Sequence, residues 1–142
     1  MEAICEATGK AICQVKLLLD TNALIWWLED QPMLGPKARV LLANPANTIL
    51  ATVVSLWEIT MKWRVGKYPL PGSAFAEFVD TQNVELVGVS LEHLAALEKL
   101  PVHHKDPFDH LIIAQALVEG ATIITSDRVF VDYGVRCFPA GR

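Results

Sequence analysis

Asp106-Pro107-Phe108-Asp109-His110-Leu111-Ile112-Ile113-Ala114-Gln115-Ala116-Leu117-Val118-Glu119-Gly120-Ala121-Thr122-Ile123-Ile124-Thr125-Ser126-Asp127 is the stretch that decides the fold. Pro107 suits the first turn of a helix, because its missing N–H is unsatisfied there anyway. Gly120 suits the position after a helix end. Between them, helical spacing from Asp109 picks out Ile112, Ile113, Ala116 and Leu117, an inward-facing stripe. The β-branched run Ala121–Thr125 follows at once as a buried strand and closes on Asp127.

The same rhythm extends through the chain. Val15–Leu19 reads as a strand ending on Asp20, with a helix over Asn22–Asp30 and a second over Pro36–Ala43. Thr48–Val53 is a strand, followed by helices over Ser55–Val65 and Ser73–Thr81. Val84–Val89 is a strand, Ser90–Leu100 a helix capped by Ser90, Pro107–Glu119 a helix, and Val135–Phe138 a weak last strand. Alternating strands and helices imply right-handed crossovers and a mostly parallel sheet covered on both faces. The fold class is α/β, a three-layer α/β/α sandwich of one domain over residues 15–138, with a leader over 1–14 and a tail over 139–142.

Composition sets limits. The 142 residues suit one domain with a real core. The hydrophobic share is 52% and the mean hydropathy is +0.32, values that favour a well-covered core or an apolar partner surface. Polar residues interrupt the longest uncharged stretch, Val40–Trp57, so it does not read as a membrane span. No export signal is evident, and the cytoplasm is the expected location. Cys5, Cys13 and Cys137 are widely spaced and suggest reduced thiols. A net charge of −4 argues against a general nucleic-acid coat. It leaves room for local grip by Lys62, Arg64, Lys105 and Arg128, read equally well as a charged solvent face.

Acids occupy the strand–helix junctions: Asp20, Glu58, Asp106, Asp109 and Asp127. Each has a structural excuse. Asp20 and Asp106 fit N-caps, Asp127 fits a turn before Val129, and Ser55-x-x-Glu58 fits a capping box. In a parallel sheet, however, ligands sit beyond the carboxyl ends of the strands. Acids gathered there repel one another unless a cation joins them. An all-oxygen donor set suits Mg²⁺ or Mn²⁺, which can orient water and neutralise charge on a phosphodiester. His103, His104 and His110 crowd the same block without zinc spacing, and a solvated or helix-edge role is expected for His110. Trp26, Trp27, Trp57, Trp63 and Met61 mostly suit core packing, with Trp26 or Trp27 at a surface.

Four blocks carry a resemblance: Leu18–Ile25, Val54–Ile59, Lys105–Ala116 and Ile124–Asp127. Together they resemble PIN domains, and more closely the toxin ribonucleases of VapBC toxin–antitoxin pairs. The resemblance implies Mg²⁺- or Mn²⁺-dependent cleavage of RNA, a VapB-type antitoxin partner and a homodimer. It places catalytic and metal-holding acids at Asp20, Glu58, Asp109 and Asp127. Asp106 either supports the metal or caps the helix. Thr21 and Asn22 orient Asp20 or a water, and Ser126 hydrogen-bonds near Asp127. Two alternatives compete. A haloacid-dehalogenase-like phosphatase needs a second aspartate where Asn22 stands. A PIN-fold interaction module without activity would not need the full set of acids.

Overall fold

The protein was described from a computed structural model covering residues 14–141. The expected leader therefore lies outside the described residues save for Gln14, as do Cys5 and Cys13. The described elements run β1 (Lys16–Leu19), α1 (Thr21–Leu28), α2 (Pro36–Ala43), β2 (Thr48–Thr52), α3 (Val53–Arg64) and α4 (Ser73–Thr81). They continue with β3 (Glu85–Val87), α5 (Leu91–Lys99), α6 (Pro107–Glu119), β4 (Thr122–Thr125), a 3-10 turn (Arg128–Tyr133) and β5 (Cys137–Pro139).

The five strands form one sheet in the order β3-β2-β1-β4-β5. Every neighbouring pair is parallel, with Leu18 opposite both Leu50 and Ile123. The order reverses at β1, so a crevice opens beyond the carboxyl ends of β1 and β4. Asp20 stands there, its own N–H donating to the Ile124 carbonyl at 3.2 Å.

Period-two alternation divides the core into two layers. Leu17, Leu19, Ile49 and Ala51 face one side, with Ala23, Leu24, Ile59 and Phe75 from α1, α3 and α4. Leu18, Leu50 and Ile123 face the other, against Leu111, Ile112, Ile113, Phe130 and Tyr133. The strands carry apolar residues in both directions because helices cover both faces. A buried polar thread crosses the second layer. Thr52 Oγ1 donates to Gln115 Oε1 at 2.6 Å, and Gln115 Nε2 donates to the Gly88 carbonyl at 3.1 Å.

Several expectations change. The third helix begins at Val53, two residues early, because Thr52 Oγ1 accepts the Val54 N–H and serves as the cap. Ser55 and Glu58 therefore form no capping box; both lie buried inside α3. Leu117 is 44% exposed and leaves the inward stripe. The last strand runs to Pro139, and Ala140 is fully buried with its N–H donating to the Thr125 carbonyl at 3.0 Å. The sheet thus extends into residues read as tail. Trp57, Met61 and Trp63 are 52%, 40% and 45% exposed rather than core residues; they lie off the face of α3 that buries Val54, Ser55, Glu58 and Ile59. Trp26 and Trp27 are both half-buried, sharing the boundary instead of dividing into one inside and one outside.

Candidate active site

Asp20 ends β1 and begins α1. Its Oδ1 accepts the Ala23 N–H at 2.8 Å, so the capping role read from sequence is real. Its Oδ2 accepts the Thr125 hydroxyl proton at 2.6 Å, tying the ends of β1 and β4 together. Burial pushes the carboxyl up to about 6, against the lowering effect of those two hydrogen bonds. The charges of Glu58 and Asp127 push in the same upward direction.

Glu58 projects from the second turn of α3 and is buried. Its Oε1 accepts the Thr21 hydroxyl proton at 2.7 Å, and Ser55 Oγ lies 3.0 Å from the same Thr21 oxygen. Lys62, one turn on, forms an ion pair with Glu58 Oε2 at 3.2 Å. Thr21 was expected beside Asp20 or a water; its hydroxyl reaches across to α3 instead.

Asp109 lies in the first turn of α6, near the helix N-terminus. Burial pushes its carboxyl up to about 7, with Asp106 and Glu58 adding to the rise and the His104 hydrogen bond opposing it. Asp106 caps α6 through one of its two carboxylate oxygens. Its Oδ1 accepts the N–H groups of Phe108 at 2.9 Å and Asp109 at 3.2 Å. Asp127 is exposed and its Oδ1 accepts the Val129 N–H at 3.1 Å, the turn-capping role. Asn22 and Ser126 are exposed. Thr125, rather than Ser126, supplies the hydrogen bonds at this junction, donating to Asp20 and accepting the Asp127 N–H at 3.1 Å. Arg64, Lys105 and Arg128 are exposed.

Sequence reasoning missed three contributors. Thr125 was counted only as strand. His104 figures in the sequence only as one of the histidines crowding the acid block, and Tyr133 not at all. His104 Nε2 lies 3.1 Å from Asp109 Oδ2, and His110 Nε2 lies 3.1 Å from the Tyr133 hydroxyl. His110 is half-buried near the start of α6, the helix-edge position.

The fold brings Asp20, Glu58 and Asp109 to one crevice, within electrostatic reach but not in a ready-made coordination shell. Among the described residues, no three Asp, Glu, His or Cys side chains converge closely enough to hold one ion. Each carboxylate is instead engaged by neighbouring donors: Asp20 by Thr125 and Ala23, Glu58 by Thr21 and Lys62, Asp109 by His104. The chemistry of the donors nevertheless fits a hard divalent cation. All are carboxylate oxygens, and two are held above their ordinary range by burial that a nearby positive charge would relieve.

The sequence model of the PIN domain matches residues 17–135. The chain belongs to the PIN domain family. PIN domains are nucleases that typically use divalent ions, which places this chain among hydrolases acting on nucleic acid. The phosphatase alternative ends here. A search of curated proteins finds no match. Solved structures share the fold. The VapBC2 complex from Rickettsia felis, bound to a DNA fragment from its promoter, matches with a TM-score of 0.67 at 20% identity, over 88% of this chain and 98% of that one. The DNA-bound VapBC complex from Salmonella typhimurium matches with a TM-score of 0.66 at 17% identity, over the same shares of 88% and 98%. A VapBC-1 structure from nontypeable Haemophilus influenzae follows with a TM-score of 0.62 at 17% identity, again over 88% and 98%.

Proposed function

We propose that this PIN domain is a divalent-metal-dependent endoribonuclease, the toxin of a VapBC-type toxin–antitoxin pair acting in the cytoplasm. The observation that carries the reading is the burial of Asp20 and Glu58, with Asp109 half-buried within their electrostatic reach, where the strand order reverses. Buried acids of like charge are costly, and a fold retains them where charge must be received. Among the described residues no helix is long and apolar enough to cross a membrane.

Asp20, Glu58 and Asp109 supply the oxygens for Mg²⁺ or Mn²⁺, with Asp127 at the rim. Bound there, the ion would supply a Lewis acid that activates water and offsets charge developing on the phosphate. The chain's own groups do the rest. Thr125 and Ala23 fix both oxygens of Asp20, so it meets the substrate in one orientation. Thr21 fixes Glu58 in the same way. Lys62 brings a positive charge beside the acids, where an RNA phosphate would otherwise be repelled. Exposed Arg64, Lys105 and Arg128 hold the RNA backbone without reading its sequence.

The partners follow from the same reading: RNA as substrate, a VapB-type antitoxin as inhibitor, and a second copy of the chain. The exposed Trp57, Met61 and Trp63 offer apolar surface for a protein contact.

Cleavage of total RNA by the purified chain, with and without EDTA, tests the proposal. Activity in Mn²⁺ that disappears in EDTA, and in Asp20→Asn and Asp109→Asn, is expected. Intact RNA after incubation with the parent and millimolar Mn²⁺ leaves the inactive interaction module as the better reading.

A further inference from the structure

Tyr133 is the hub of a hydrogen-bonded cluster that the acids alone do not account for. The residue is buried in the second core layer, so packing fixes where its hydroxyl stands. That oxygen accepts two backbone N–H groups from the loop before α6, His103 at 2.9 Å and His104 at 3.1 Å. The His104 ring then turns back on the same hydroxyl, its Nδ1 only 2.7 Å away. Its other nitrogen, Nε2, lies 3.1 Å from Asp109 Oδ2.

Proton counting narrows the direction of the links between Tyr133 and His104. A phenolic oxygen has one proton to give and two lone pairs to receive. The two backbone N–H groups fill both lone pairs. A proton on His104 Nδ1 would find no acceptor, so Nδ1 is the acceptor and takes the tyrosine proton. With Nδ1 accepting, the N–H that faces Asp109 is the one on Nε2. The contact to Nδ1 is shorter than the 3.1 Å from His110 Nε2 to the same hydroxyl, which marks His104 as the recipient.

We propose that His104 is a positioning residue: anchored by Tyr133 and locked in the Nε2–H tautomer, it aims and holds the Asp109 carboxylate. The inference rests on the nuclease reading above, and extends it to residues that touch neither substrate nor cation. A carboxylate in the first turn of a helix has freedom about two side-chain torsions. The relay removes that freedom by linking Asp109 to a ring whose position the hydrophobic core determines. Outer partners of this kind set the orientation and basicity of a ligating group.

A loop staple is the competing explanation, and three measurements separate the two. The first is the ¹⁵N NMR spectrum of the parent at neutral pH, with His104 assigned by its loss in His104→Gln. The Nε2–H tautomer is expected, and an Nδ1–H tautomer would overturn the relay. The second is Mn²⁺ affinity by titration calorimetry. His104→Ala is expected to weaken it on the order of tenfold, the usual effect of losing such a partner. His104→Gln keeps an N–H donor near the Nε2 position and is expected to recover most of that loss. The third is the melting temperature, which a staple would lower equally in both variants. Unchanged Mn²⁺ affinity in His104→Ala refutes the proposal. So does His104→Gln performing no better than His104→Ala. If His104→Ala does not fold, the tautomer and the Gln variant's affinity still decide. A parent that cuts RNA while the variants match it loses only this inference. A parent that neither binds Mn²⁺ nor cuts RNA loses the nuclease reading as well.

Discussion

Replacing Asp20 with Asn should make the metal-free protein more stable at pH 8. Burial raises the Asp20 carboxyl from its ordinary 3.8 to about 6, so the folded chain holds that proton more tightly than the unfolded chain. The group's contribution is therefore fully favourable below about pH 4 and is lost as the pH rises through about 6. At about 1.4 kcal/mol per pH unit, the gap costs the folded state about 3 kcal/mol above pH 7. Asn removes the charge and keeps an oxygen for the Ala23 N–H. It deprives the Thr125 hydroxyl of its acceptor, a loss of about 1 kcal/mol. The net gain is about 2 kcal/mol, or about 8 °C in Tm at roughly 4 °C per kcal/mol for a domain of this size. Thermal melts in EDTA at pH 5 and pH 8 measure it. The advantage should be present at pH 8 and largely gone at pH 5. A variant less stable than the parent at pH 8, or a gap independent of pH, refutes the account of Asp20 as an uncompensated buried acid.

Other outcomes follow from the same geometry. Saturating Mn²⁺ should raise the melting temperature of the parent at pH 7.5 and not that of Asp20→Asn, since an ion that binds only the folded state stabilises it by mass action; differential scanning fluorimetry reads both. Gly72→Ala should lower stability by about 3 kcal/mol or more in urea unfolding, because a Cβ there would collide with the Leu56 carbonyl oxygen and the Thr60 hydroxyl. Gln115→Leu should cost about 1–3 kcal/mol by the same assay, because it leaves the buried Thr52 hydroxyl without its acceptor. Equal stability in either variant would show that the site relaxes freely.

Much of this was legible in the chain because its signals are local. Pro107 and Gly120 bound α6 as read, and the residues after them run straight into β4. The junction acids pointed to one edge of the sheet because parallel strands all end on the same side. Ser55 misled for a physical reason. It satisfies the spacing of a capping box, but Thr52, the last residue of β2, supplies the actual cap three residues earlier, and nothing local distinguishes the two. Trp57 misled similarly, since hydrophobicity states a preference and only the neighbours decide whether it is met.

Sequence alone determined the order of strands and helices, the parallel sheet and the set of acids, because backbone propensity and alternating hydrophobicity act over a few residues. The tertiary structure decided which hydroxyl or ring each acid meets. Thr125 reaches Asp20 across 105 positions of chain, and Tyr133 reaches His104 across 29. Such contacts depend on how two packed layers bring distant segments within about 3 Å of one another, a distance far finer than any pattern of residue types encodes.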